Sequence, residues 1–226
     1  WTFELLQPLR KQDEALCALV LEQLVRRFLA PDCHPLLRER MTASRLILLR
    51  KNNAPVGAKP RPIAVGELFL RLAAHACMPT NPAKALEPLQ LGVGSQGGVE
   101  RVIHWARDRY ARGQAILTLD MRNAFNSVRR SAMSEALSGL VERDAEWSRA
   151  CALFNAAYVA PSKLLHRWGT HDSSRGSRQG CVFGGLLFAI VLQPILEALQ
   201  RRYGGIEVKA YLDDLTVAFD EQDTDA

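Results

Sequence analysis

Apolar residues recur along the chain with two different periods, and the changes between them outline the fold. Residues 12–29 place Leu16, Leu19, Val20, Leu24 and Phe28 on one helical face, and Pro31 and Pro35 end that helix. Two short extended runs follow. Ser44–Lys51 carries the apolar stretch Leu46–Leu49, and Arg61–Val65 is the second. Between them, Asn52-Asn53-Ala54-Pro55-Val56-Gly57 is turn chemistry, so the pair reads as a hairpin with Arg50, Lys51, Lys59 and Arg61 projecting. Residues 67–77 read as a helix and 78–98 as a long loop rich in Pro and Gly.

A helix over 99–112 holds Val99, Val102, Ile103, Ala106 and Tyr110 in register and stops at Gly113. Ala115–Leu119 reads as a buried strand ending at Asp120. The next helix has Phe125, Val128, Ala132, Met133, Ala136, Leu137 and Leu140 on its inner face. Another covers 144–160, with Trp147, Cys151, Phe154 and Tyr158, and stops at Pro161. Residues 162–182 are polar and basic, extended at Ser162–Trp168; Phe183–Tyr203 is an apolar helix. Ile206–Ala210 and Leu215–Phe219 are strands about the tight turn Tyr211-Leu212-Asp213-Asp214. Asp220–Ala226 is an acidic tail without pattern, expected to be disordered. The order strand, helix, helix, extended segment, helix, hairpin predicts an α+β fold, a split βαβ arrangement with an antiparallel sheet backed by helices.

Composition narrows the class. The 226 residues allow one or two domains, and 48% hydrophobic with 23% charged residues is globular. The longest apolar run, Cys181–Leu192, falls short of the roughly 20 residues a bilayer span needs, so no membrane partner is expected. No secretory or transit signal opens the chain, which starts without Met and reads as a piece of a longer protein. The five cysteines are odd in number and form no Cys-x-x-Cys pair, which predicts reduced thiols in an intracellular protein, nuclear or cytoplasmic. The net charge of +5 is unevenly placed: residues 1–113 hold 17 basic and 10 acidic groups, residues 114–226 hold 12 and 14. Arginine, the better residue for bidentate phosphate contacts, outnumbers lysine 23 to 6. A basic front half and a carboxylate-bearing back half suit a protein that holds a polyanion and does metal chemistry on it.

The carboxylates stand where such chemistry would be. Asp120 closes an apolar strand, and Asp213 and Asp214 tip an apolar hairpin. Adjacent like charges call for a counter-ion, and if the strand and hairpin share a sheet, three carboxylates converge. Oxygen-only ligands select Mg²⁺ or Mn²⁺, and a pair of such ions activates an attacking 3′-oxygen and stabilises a leaving pyrophosphate. The expected chemistry is nucleotidyl transfer.

Four stretches then occur in an order and spacing that resembles a reverse transcriptase: KPRPIAVGELFLRL (Lys59–Leu72), LTLDMRNAFNSVRR (Leu117–Arg130), RGSRQGCVFGGLLFAIVLQPIL (Arg175–Leu196) and YLDD (Tyr211–Asp214). QLGVGSQGGVERVIHWAR (Gln90–Arg107) resembles a segment typical of the non-LTR, LINE-type retrotransposon enzymes. The resemblance covers residues 45–220 and implies a right-hand polymerase fold: fingers over 1–113, mainly helical with a basic hairpin near 44–65, and palm over 114–219. The family's remaining palm motifs and its thumb are expected to be absent beyond residue 219. By position, the resemblance makes Asp120 and Asp213 the main metal ligands and Asp214 the third carboxylate, with two Mg²⁺ ions, or Mn²⁺, as cofactor. It sets Arg61 on the incoming triphosphate, with Lys59 or Lys51 assisting, and the backbone of Met121, Arg122, Asn123 and Ala124 near phosphate oxygens. Phe125 takes the place of the steric gate beside the incoming sugar. Gln179 and Gly180 pack on the template and nascent base pair, and Arg178 and Tyr211 join the template and primer track. The implied partners are an RNA template, a DNA or RNA primer, dNTPs and the rest of a larger retroelement polyprotein. Where the family usually carries Pro after Gln-Gly, this chain runs Cys181-Val182-Phe183-Gly184-Gly185, and Leu212 replaces the commoner Ala or Met.

Three other readings compete. A catalytically incompetent, polymerase-derived domain kept for RNA binding or assembly would need no intact Asp set. An RNA-dependent RNA polymerase commonly has Asp, not Phe125, five residues after its first catalytic Asp. Gly92-Val93-Gly94-Ser95-Gln96-Gly97 is formally a dinucleotide-binding fingerprint with Asp120 standing 23 residues past Gly97, but it lacks a convincing preceding strand.

Overall fold

The computed structural model describes residues 3–50 and 60–220. Lys51 and Lys59, and the tail beyond Asp220, lie outside the described residues. The chain opens with α1 (Phe3–Gln12) and α2 (Glu14–Leu29), separated by Asp13, whose carboxylate accepts from the Leu16 amide at 2.8 Å and caps α2. Pro35 takes the first position of α3 (Pro35–Thr42), where its missing N–H costs nothing. β1 (Ser44–Leu49) and β2 (Arg61–Gly66) form the expected antiparallel hairpin, Ser44 opposite Gly66 and Leu49 opposite Arg61. There follow α4 (Leu68–Cys77), α5 (Gly98–Ala111), β3 (Ala115–Asp120), the single turn α6 (Ala124–Ser127), α7 (Arg130–Arg143) and α8 (Ser148–Ala157). β4 (Ser162–His166), β5 (Gly169–Ser173), α9 (Val182–Arg202), β6 (Ile206–Tyr211) and β7 (Asp214–Phe219) complete the order.

The strands make two sheets. One has the order β2-β1-β4-β5, with β1 and β4 parallel; the other is antiparallel with the order β3-β7-β6. The first draws strands from both sides of residue 113, so sheet membership does not follow that point of the chain.

α9 is apolar on every side because it serves two cores. Phe183, Leu187 and Ile190 enter a cluster with Phe28, Leu70, Met133, Leu153 and Phe154, while Phe188, Leu192 and Leu196 pack on Val208, Leu215 and Val217 of the second sheet. Among the described residues it is the helix long and apolar enough to cross a membrane by length and composition, and here it is a central core helix. Each fully buried Leu or Phe along it contributes about 1.5–3 kcal/mol relative to exposure.

The sequence patterns mislead in four places. Leu16, Leu19 and Val20 of α2 are about half exposed, and only Phe28 of that face is fully buried. On α5, Val99, Ile103 and Tyr110 face solvent; Val102, Trp105, Ala106 and Arg109 are the more covered positions. The helix expected to run on from Phe125 is two helices, broken at Val128, which is extended. β3 is an edge strand, not a buried one, and Leu117 and Leu119 are 46% and 45% exposed.

Candidate active site

Cross-strand register places the acidic residues. Asp120 lies opposite Asp214, and Asp214 opposite Tyr211, so these three share one face at one end of the three-stranded sheet. The same face carries Thr118, Thr216, Lys209 and Glu207, and α5 lies across it: Arg109 pairs with Glu207 at 2.8 Å and the Trp105 indole N–H donates to Glu207. Gly98, at the N-terminal end of α5, abuts Tyr211, so the positive end of that helix lies at the carboxylate end of the sheet. The opposite face, with Leu215, Val217, Val208 and Ala210, is the one α9 covers. Strict alternation thus separates a polar, carboxylate-bearing face from an apolar one.

Asp213 sits in the two-residue turn of the β6–β7 hairpin. Leu212, before it, has φ 55°. A positive φ at the first central residue alone is the II′ pattern, whose twist matches that of hairpin strands. Asp120 and Asp214 are exposed and Asp213 is half-buried. Among the described residues, none of the three has an ion pair or a side-chain hydrogen bond, and no group of three or more His, Cys, Asp or Glu residues closes into a metal-holding cluster.

Beside the turn is a depression of about 420 Å³ bordered by Phe125, Gln179, Gly180, Gly92 and Leu212. Phe125 has two roles. Its ring packs on Phe188, centroids 4.9 Å apart, and it also lines the depression. The loop before Gln179 holds it there: Ser177 N–H donates to Phe125 O at 2.8 Å and Gly176 N–H to Val128 O at 3.0 Å. Gly176 has φ 69°, and a Cβ there would lie 2.5 Å from the Asn126 backbone, so no other residue fits this crossing. Gln179 is joined to the first sheet by its carbonyl, which accepts from Ala64 of β2 at 2.7 Å, and Gly180 abuts Ile63. Arg61 is exposed at the start of the same strand. Of the phosphate-side stretch, Arg122 and Asn123 are exposed, Met121 is half-buried and Ala124 is buried. Asn123 has φ 56° and its amide oxygen accepts from Asn126.

One assignment needs correction. Arg178 does not lie on the template and primer track: it is 4% exposed and its side chain is turned into the protein. Its guanidinium donates to Thr42 O at 2.7 Å, Ala157 O at 2.5 Å and Ser44 Oγ at 3.4 Å, and lies 4.5 Å from the Tyr158 ring centroid. The first two acceptors end α3 and α8, so Arg178 ties the first sheet's entry to the helical core. Arg130 meets the same ring at 5.2 Å and donates to Tyr158 O and Gly176 O. Burial, then the like charge of Arg178, lowers the Arg130 pKa to about 10, and burial raises that of the Tyr158 hydroxyl.

A four-stranded mixed sheet that holds Gln179 against its β2 strand, together with a three-stranded antiparallel sheet with carboxylates at its end, is the architecture of a right-hand polymerase fold. The solved structures agree. Telomerase from Candida albicans, in complex with a TWJ fragment of telomeric RNA, superposes with a TM-score of 0.55 at 12% identity, covering 89% of this chain and 41% of that one. Apo telomerase from Candida tropicalis gives 0.51 at 11% identity, covering 82% and 40%. At such identity the likeness is one of fold. The chain belongs to the reverse transcriptase (RNA-dependent DNA polymerase) family, whose pattern matches residues 49–225. It is 34% identical over 229 residues to the 132 kDa protein of the retrotransposable element SLACS of Trypanosoma brucei gambiense. That alignment spans 96% of this chain and 18% of the relative.

Proposed function

We propose that this chain carries a competent catalytic centre that extends a DNA or RNA primer with dNTPs on an RNA template. The observation that carries the reading is the register: Asp120 pairs with Asp214 at the sheet end, and Asp213 stands beside Asp214 in the adjoining turn. The donor set consists of hard carboxylate oxygens only, which fits Mg²⁺, or Mn²⁺, and no softer metal. Asp120, Asp213 and Asp214 would hold the ions. When bound, two such ions supply charge stabilisation for the attacking 3′-oxygen and the departing pyrophosphate.

The remaining residues bind and orient. Arg61, exposed at the rim of the first sheet, meets the triphosphate, and Met121–Ala124 border it on the palm side. Gln179 and Gly180, tied to β2, support the nascent base pair, Tyr211 borders the primer end, and Phe125 meets the sugar. Asp213→Asn tests the centre. Primer extension should be abolished, while thermal stability in metal-free buffer holds or rises because like-charge repulsion is relieved. Near-wild-type extension by this variant would sink the assignment and leave RNA binding or assembly as the domain's role.

A further inference from the structure

The glycine-rich stretch Gly92–Gly98, which the roles above leave unused, packs against the turn that carries Asp213. Gln90 precedes it and is fully buried. Its side-chain oxygen accepts from the Leu212 amide at 2.8 Å and from the Gly92 amide at 2.9 Å, and its side-chain nitrogen donates to the Leu212 carbonyl at 3.2 Å. One side chain thus engages both polar groups of Leu212, a residue 122 positions away. The backbone brings it there. Leu91 N–H donates to Ala210 O at 2.8 Å and Ala210 N–H to Leu89 O at 2.7 Å, so residues 89–91 pair as a short parallel bridge along the free edge of β6. Gly92 then passes the turn so closely that a Cβ would lie 2.5 Å from the Leu212 nitrogen.

Leu212 is one of two described non-glycine residues with positive φ, a conformation that persists where surrounding contacts over-determine it. Gln90 supplies those contacts. We propose that Gln90 is a positioning residue of the polymerase centre: by clamping the Leu212 peptide groups it holds the turn in the form that aims Asp213 at the reacting atoms. Gln90 touches no substrate. The inference rests on the catalytic reading of Asp213, and its test separates the two.

Gln90→Leu keeps the volume and removes all three bonds; Gln90→Glu keeps an acceptor for both amides. Hydrogen exchange of the free protein should show faster exchange at the turn 211–214 in Gln90→Leu, with β3 and α9 as protected as in the wild type. Single-turnover nucleotide incorporation on a primed RNA should fall on the order of 100-fold in Gln90→Leu, the scale of a misplacement near 1 Å, and several-fold less in Gln90→Glu. Primer–template affinity and the dNTP KM should stay within about threefold, since Gln90 contacts neither. A loosened turn with an unchanged incorporation rate overturns the inference and leaves the Asp213 centre standing. Unchanged exchange at the turn overturns the clamp itself. If Asp213→Asn extends primers normally, the centre fails while the exchange result still reports the clamp. Should Gln90→Leu lose protection throughout, Gln90→Glu alone decides on the same readouts: a loosened turn together with a lower incorporation rate supports the clamp, and a wild-type rate with a loosened turn, or a rate loss with an unaltered turn, overturns it.

Discussion

Arg178→Ala removes the most deeply placed charge on the inner side of the active-site loop, and its cost can be built from the contacts. Two short bonds, to Thr42 O and Ala157 O, run from a charged donor, and such bonds are worth about 1.5–3 kcal/mol each. Their loss strands two backbone carbonyls in a buried place, and the truncated side chain leaves a void beside Tyr158. Part of this is offset, because a buried guanidinium, whose Nε has no partner, no longer has to be desolvated. The net expectation is a loss of about 3–5 kcal/mol. For a chain of this size that lowers Tm by roughly 6–20 °C. Arg178→Met fills the volume and removes the charge, so it should cost less, about 1–3 kcal/mol. Urea unfolding at pH 7 for both variants gives the order. RNA affinity measured across a salt series gives the second arm, and Arg178→Met should leave the salt slope unchanged. Both variants within 0.5 kcal/mol of wild type, roughly the range of surface substitutions, together with a slope reduced by about one, would return Arg178 to the template track.

Phe125→Val should raise ribonucleotide over deoxyribonucleotide incorporation by roughly tenfold or more, because a ribose hydroxyl against the Phe ring would be left unpaired at about 1–3 kcal/mol; single-nucleotide insertion kinetics decide it, and an unmoved ratio makes Phe125 a core residue only. The same variant should lower stability by about 1–2 kcal/mol through its lost contact with Phe188, read by urea unfolding. Arg61→Ala should raise the dNTP KM and leave template affinity nearly unchanged; the reverse pattern in steady-state kinetics and RNA binding would move Arg61 to the template.

What the sequence disclosed, and what it withheld, follow from the range of the forces involved. The β6–β7 hairpin was legible because its alternation of Val208, Ala210, Leu215 and Val217 is local and its turn has two residues. The β1–β2 hairpin was legible from two short extended runs separated by the turn-forming residues Asn52–Gly57. The buried face of α5 was not, because its partner is the polar side of a sheet. An ion pair from Arg109 and an indole bond from Trp105 to Glu207 do the work an apolar stripe would do elsewhere, so the apolar register pointed the wrong way. β5 was missed because Gly-Thr-His-Asp-Ser is an edge strand with little apolar content and mostly exposed positions. Asp120 was placed correctly at a strand end, yet that strand is an edge: nothing within Ala115–Asp120 records whether a neighbour lies on both sides. Arg178 was misplaced because motif position carries no information about which way a side chain turns.

The two side chains that sequence reasoning failed to place, Gln90 and Arg178, act in the same manner. Both grip backbone groups far along the chain: Gln90 holds Leu212 N–H and C=O 122 residues away, and Arg178 holds the Thr42 carbonyl 136 residues away and the Ala157 carbonyl 21 residues away. A clamp on the backbone does not depend on the side chain of the residue it holds. Position 212 therefore tolerates Leu where Ala or Met is commoner, since neither bond from Gln90 involves its side chain. The constraint falls instead on the clamping residue and on Gly92, where a single methyl group would displace the Leu212 amide. On the proposed function the carboxylates supply the chemistry, and their aim is set by neutral or buried groups whose own partners are peptide bonds. Those partners have no identity in the sequence, which is why the residues that hold this centre together are harder to read than the residues that form it.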